Sequence, residues 1–154
     1  MMSHEDVKKI RETVQEFFSK MSFDVTVKVE KPEDLTVPVS LETEDPQILI
    51  GENGQTLLEI QRLLKGILRK RITDPFFLNI DINDYKKKKT EYLKEMANTI
   101  ADEVSLLKQD KELPPMPAHE RRVVHMALAE RPDIISESFG TDPDRKIIVK
   151  PKTA

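Results

Sequence analysis

The sequence predicts an α+β fold built of two small modules, the second entered through a long helix. Three observations carry this. Apolar residues recur at three- and four-residue steps in some segments and alternate strictly in others, so amphipathic helices and half-buried strands coexist. Up to Asn83 the segments run helix, strand, strand, glycine turn, helix, strand, a set able to close its own core. From Asp84 the chain turns polar and lysine-rich, and a second, shorter set of helix and strands follows. The expected modules are residues 1–83 and 84–154, the second including the long helix.

The first helix is written in "SHEDVKKIRETVQEFFSKM", where Val7, Ile10, Val14, Phe17, Phe18 and Met21 form an apolar stripe. Ser3 followed by Asp6 reads as a capping box. "FDVTVKVE" alternates through Phe23, Val25, Val27 and Val29, and "LTVPVSLET" through Leu35, Val37, Val39 and Leu41. Joined by the turn-like "KPED", they predict an antiparallel pair with one face on a core. Pro38 inside the second run predicts an edge strand or a bulge, because proline has no N–H for a ladder. After the turn Gly51-Glu52-Asn53-Gly54, a helix runs to about Arg71 with Leu57, Ile60, Leu64, Ile67 and Leu68 buried, and "PFFLNIDIN" supplies the third strand.

The long helix is "DYKKKKTEYLKEMANTIADEVSLLKQ", with Tyr92, Met96, Ile100, Val104 and Leu107 as its expected apolar line. "ELPPMP" stops it, since Pro114, Pro115 and Pro117 cannot continue a helix. Pro117 is placed to open the next one, "AHERRVVHMALAE". Strands "DIISES" and "RKIIVK" follow around the turn "GTDPD".

Composition removes several function classes. The chain has 154 residues, with 38% hydrophobic and 34% charged residues, and carries no apolar run long enough to span a bilayer. Its N-terminus lacks the apolar core of a secretory signal, and there is no cysteine, which excludes disulfides, thiolate zinc sites and thiol nucleophiles. A cytoplasmic protein without membrane insertion is expected. Net charge is −3, so a polyanion must be held by a local basic patch. With aromatics at 5% and no tryptophan, base recognition by extensive stacking is not expected. No nucleophile stands at a sensible spacing from a base, and His119 and His125 diverge around their helix, so neither an enzyme, a metal site nor a cofactor is expected.

Two motifs remain. In the glycine turn, two residues without Cβ atoms allow positive φ and close backbone approach, and the helix start behind them favours an anion. The spacing matches neither a P-loop nor a dinucleotide fingerprint. Arg62, Lys65 and Arg69 line one face of the helix that follows. The plainer reading is a helix–turn–helix connection with solvated cations. In the second motif, "PMPAHERRVVHMAL", Arg121 and His125 lie four apart on one helix face with Arg122 beside them, a set able to hold a phosphate by charge-assisted hydrogen bonds. The plainer reading there is a structural histidine. Arg145 and Lys146 before the last strand are candidates to extend that surface. The run Lys86–Lys89 opposes the dipole at its helix start, and either spans the two modules along one nucleic-acid strand or is a solvated face.

"ILIGENGQTLLEIQRLLKGILRK", with the helix and strands around it, resembles the Gly-x-x-Gly segment of a type II KH domain, whose loop clamps about four single-stranded nucleotides. Such loops usually carry a basic residue between the glycines. Here Glu52-Asn53 stands there, and its carboxylate repels the phosphate track, which shifts weight to Arg62 and Arg69. "PPMPAHERRVVHMALAERPDI" with "SESFGTDPDRKIIVKP" resembles the Arg-x-x-x-His domain, a single-stranded nucleic-acid-binding fold. The order of the two, joined by "NIDINDYKKKKTEYLKEMA", resembles the bacterial Jag/KhpB family of SpoIIIJ-associated RNA-binding proteins, without the N-terminal Jag domain of many members. The resemblance implicates Gly51, Gly54, Arg121 and His125. It implies a non-catalytic single-stranded RNA-binding protein of low sequence specificity, with single-stranded DNA as a second ligand. The alternative is a protein-interaction adaptor whose KH unit has lost RNA binding, acting through a protein partner or a homodimer.

Overall fold

A computed structural model describes residues 2–152, and the chain divides into two compact units, Met1–Lys86 and Lys87–Ala154. The first contains α1 (His4–Lys20), β1 (Thr26–Val29), β2 (Thr36–Glu42), α2 (Pro46–Ile50), α3 (Gln55–Leu68) and β3 (Phe77–Ile82). α1 opens with the predicted capping box: the Ser3 hydroxyl accepts from Asp6 N at 3.1 Å, and the Asp6 carboxylate accepts from Ser3 N at 3.3 Å.

The three strands lie in the order β1-β2-β3. β2 is antiparallel to β1 and parallel to β3. The parallel pair needs a crossover, and α2, the glycine turn and α3 supply it. Pro38 is therefore in the central strand, not at an edge as its chemistry suggests, and β2 pairs without a bulge on both sides. The reason is directional. Pro38 O accepts from Glu30 N at 2.8 Å, and N and O of one strand residue point the same way, so the missing donor faces β1 just past its end at Val29. α2, unread in the sequence, has five residues with Pro46 at its start, too few to show a period. Ile10, Val14 and Phe18 of α1, Leu57, Leu64 and Leu68 of α3, and alternate residues of β2 and β3 make one core. Each such side chain, fully buried, contributes about 1.5–3 kcal/mol.

The second unit holds most of α4 (Tyr85–Leu107), then β4 (Lys111–Glu112), α5 (Ala118–Leu128), β5 (Ile134–Phe139) and β6 (Lys146–Pro151). Its antiparallel sheet runs β4-β6-β5. β4 was invisible in the sequence because only two residues pair before the prolines. The buried line of α4 matches the expected one in part: Val104 is buried and Met96 and Ile100 pack partly buried against the core. Leu93, Ala97, Ala101 and Val104 face the core, while Tyr92 is 58% and Leu107 52% exposed. The expected line followed the largest apolar side chains. The observed one includes two fully buried alanines, Ala97 and Ala101. Arg131 fastens the turn after α5 to α4: it donates to Asp133 at 3.0 and 2.7 Å and to Asp102 at 2.6 Å, and holds the Asp133 carboxyl well below the usual carboxylate range. Among the described residues, no helix is long and apolar enough to cross a membrane.

The packing of α4 yields a stability prediction. Ala101→Leu, with no space around a fully buried methyl, is expected to cost about 1–3 kcal/mol in urea unfolding, whereas Tyr92→Ala stays within about 0.5 kcal/mol. Equal costs would contradict the observed helix face.

Candidate nucleic-acid interface

Both glycines of the turn are fixed by geometry. Gly51 has φ 72° and ψ −177°, a region open to glycine almost alone, and a Cβ there would fall 2.1 Å from Thr56 Oγ1. Gly54 is left-handed at φ 76°, and its Cβ would meet the Tyr85 ring at 3.0 Å. Asn53 between them is also left-handed, at φ 53°, a conformation asparagine tolerates. The turn thus links α2 to α3 and puts Glu52 and Asn53 in solvent at the start of the 14-residue α3. Close approach within the protein is enough to require glycine at both positions, whatever the turn binds.

Three cations were expected on the outer face of α3. Arg62 pairs with Glu59 at 3.1 Å on the surface, Lys65 Nζ lies 4.9 Å from the Phe77 ring centroid, and Arg69 is exposed. Within the lysine run, Lys86 and Lys89 are not open to a ligand as the spanning reading needs. Lys86 Nζ donates to Gln61 Oε1 at 2.9 Å and Asn79 Oδ1 at 2.8 Å, and burial pushes its pKa down. Lys89 lies 3.9 Å from the buried Glu120 carboxylate and 5.7 Å from the Tyr92 ring centroid. Lys87 and Lys88 are exposed.

The second motif surrounds an open cleft of ≈ 390 Å³. α5 contributes Arg121, Arg122, His125 and Met126, β5 contributes Ser138, and the turn after β5 contributes Asp142 and Arg145. Arg121 is the unusual member, with a side chain only 8% exposed. Its Nη1 donates to Met116 O at 2.6 Å and to Asp142 Oδ1 at 3.1 Å. Nε and Nη2 donate to none of the described residues, yet no side-chain polar atom buried from solvent lacks a partner among them. These nitrogens are therefore not fully sealed from solvent, and Arg121 lines the cleft. Arg122 is exposed at the same cleft, and Arg145 donates to Gly140 O at 3.1 Å. Lys146 lies outside the lining, with Nζ 2.6 Å from Glu112 Oε2.

His125 is held on both sides, Nδ1 2.8 Å from Ser136 Oγ and Nε2 2.8 Å from Ser138 Oγ. A neutral ring donates from one nitrogen and accepts at the other, and either serine hydroxyl can turn to suit. Burial, and then the positive charge of Arg121, push its pKa below 6.5. His125 thus orients the α5–β5 contact as a neutral ring instead of offering a second cation. The sequence reading missed Ser136 and Ser138. Their signal was present: in "IISESF" they share the face of buried Ile134. It also missed Asp142, which looked like an ordinary turn residue. Among the described residues, no group of three or more acidic or histidine side chains is arranged for a metal ion.

The neutral His125 predicts a pH effect. The unfolded chain takes up this proton near pH 6.5 and the folded chain only at lower pH, so stability is full above 6.5 and falls as pH drops towards the folded value. An NMR titration of the ring is expected to give a midpoint below 6.5, and His125→Gln is expected to flatten that part of the stability profile. A midpoint above 6.5 would contradict the neutral assignment.

Comparison with known proteins agrees with this geometry. Residues 91–151 match the family model of the Arg-x-x-x-His domain. The chain is 32% identical over 145 residues to the RNA-binding protein KhpB of Clostridium symbiosum, covering 94% of this chain and 65% of that protein. It is 24% identical over 147 residues to the RNA-binding protein KhpB of Streptococcus pneumoniae, covering 94% of this chain and 45% of that one. With the Bacillus subtilis protein of the same name it shares 30% identity over 131 residues, 84% of this chain and 62% of that protein. The chain thus spans between about half and two thirds of the length of these relatives. By these matches and the Arg-x-x-x-His domain in its second unit, the chain belongs to the Jag/KhpB family.

Proposed function

We propose that the chain is a non-catalytic RNA-binding protein that grips one single strand at two places with little base selectivity. The observation that carries this is the cleft on α5, where the open donors of a buried arginine meet two further arginines. An anion that fills it gains charge-assisted hydrogen bonds to nitrogens already fixed in place. The relatives are named as RNA-binding proteins, which supports RNA as the polyanion. In the first unit, the order helix, strand, strand, helix, turn, helix, strand supports a type II KH module, with Gly51–Gly54 as its backbone clamp. Arg69 and Arg62 then compensate for the carboxylate of Glu52. Tethering makes the second contact intramolecular and raises avidity above that of either module. The working site is the cytoplasm, where RNA is met.

Fluorescence anisotropy with a labelled single-stranded RNA of about ten to twenty nucleotides, across a salt series, tests the reading. The informative substitutions are those that leave the fold alone. Gly54 and Arg121 are poor choices because each is held by close neighbours. Arg122→Glu is expected to weaken binding and lower the log–log salt slope by about 1. Asn53→Asp keeps a side chain that tolerates left-handed backbone, adds negative charge to the turn, and is expected to weaken binding several-fold. Flat affinity across salt would overturn the reading.

A second reading, a protein-interaction adaptor, is favoured by one observation, the exposed Glu52 carboxylate between the two glycines. Glu52→Lys separates the two. Stronger RNA binding is expected if the turn tracks phosphate, and no change in RNA binding with an unaltered protein pull-down if it does not.

A further inference from the structure

Asp142 stands where a phosphate-binding pocket should least tolerate it. Its carboxylate lines the same cleft as Arg121, Arg122 and Arg145 and lies 3.1 Å from Arg121 Nη1. Its side chain is 72% exposed. The bond to Arg121 uses Oδ1 alone, and Oδ2 accepts no hydrogen bond from the described residues. A carboxylate here lowers the positive charge of the cleft and repels any polyanion entering it. Its Oδ1 serves Arg121 beside the shorter bond from Arg121 to Met116 O, which leaves Oδ2 to accept a hydrogen bond from elsewhere.

An ionised carboxylate can only accept hydrogen bonds. It benefits a polyanion only if that polyanion brings a donor next to its phosphate. The sugar–phosphate backbone of DNA has no such donor, whereas every ribose of RNA carries a 2′-hydroxyl beside the phosphate. The geometry points to Asp142 as the residue that makes this cleft select RNA over DNA, by accepting a hydrogen bond from a ribose 2′-hydroxyl while Arg122, Arg145 and the open nitrogens of Arg121 hold the neighbouring phosphate. The backbone of DNA offers this carboxylate no donor, so repulsion of its phosphate is not offset there. This rests on the reading of the cleft as a nucleic-acid site.

The test uses the full chain and three labelled strands of one sequence: RNA, DNA, and 2′-O-methyl RNA, which lacks the donor but keeps the ribose oxygen. The native chain is expected to bind RNA several-fold more tightly than either of the others. Asp142→Ala is expected to bring the ratios close to one, through weaker RNA binding and stronger DNA binding. Asp142→Asn, which keeps an acceptor oxygen and removes the charge, is expected to retain part of the preference. Contacts made elsewhere on the chain are common to native protein and variants, so the change in ratio reports this cleft. Unchanged ratios in Asp142→Ala overturn the inference. So does equal weakening of all three strands, which would make Asp142 only a support for Arg121, and so does equal strengthening, which would make it only a competitor. No binding of any strand by the native chain overturns the cleft as a nucleic-acid site and the inference with it.

Discussion

The second unit is organised around a largely buried positive charge. A guanidinium as enclosed as that of Arg121 is tolerated only where acceptors meet it. Those acceptors come from segments far apart in sequence, Met116 O at the end of the proline stretch and Asp142 on the turn after β5. Satisfying one side chain thus fixes three pieces of backbone around one cleft. One helical turn later, His125 settles the approach of α5 to β5 through two serines on the core-facing side of the strand. The rim of the unit is polar but ordered, and its exposed arginines project from a fixed frame.

The contact proposed for the first unit is of a different kind. It is a backbone turn, held by Thr56 packed against Gly51 and Tyr85 against Gly54. A turn that presents peptide groups is indifferent to sequence, and guanidinium groups that grip phosphate are equally so. Two such contacts on one chain, as proposed, would suit a ligand long enough to reach both. Within the cleft, Asp142 supplies a carboxylate that can accept a hydrogen bond.

Periodicity made most of the fold legible. The alternation of Val37, Val39 and Leu41 and the steps Leu57, Ile60, Leu64 name elements whose buried faces the structure repeats. It failed where local chemistry and tertiary context disagree. Pro38 reads as an edge residue, and only the length of β1 reveals why a central strand accepts it. The face of α4 was read only in part: Met96, Ile100 and Val104 touch the core as expected, but Ala97 and Ala101 were passed over because alanine carries little weight in an apolar pattern. In the candidate site, Arg121 and His125 were legible as a motif, but their partners were not. Alternation in "IISESF" places Ser136 and Ser138 on the inner face, but their pairing with His125 and that of Asp142 with Arg121 come from the fold. The lysine run shows the reverse error, since two of its four charges are absorbed by Gln61, Asn79 and Glu120, residues that no spacing rule connects to it.

The most direct test of the account is a backbone and arginine side-chain NMR spectrum of the full chain, recorded while single-stranded RNA is added. Two-site gripping predicts shifts in two clusters. One lies at the amides of Gly51–Gly54 and the first turn of α3, the other at the N–H groups of Arg121, Arg122 and Arg145 and the turn after β5. Shifts confined to other surfaces, or none in a well-folded chain, would contradict it.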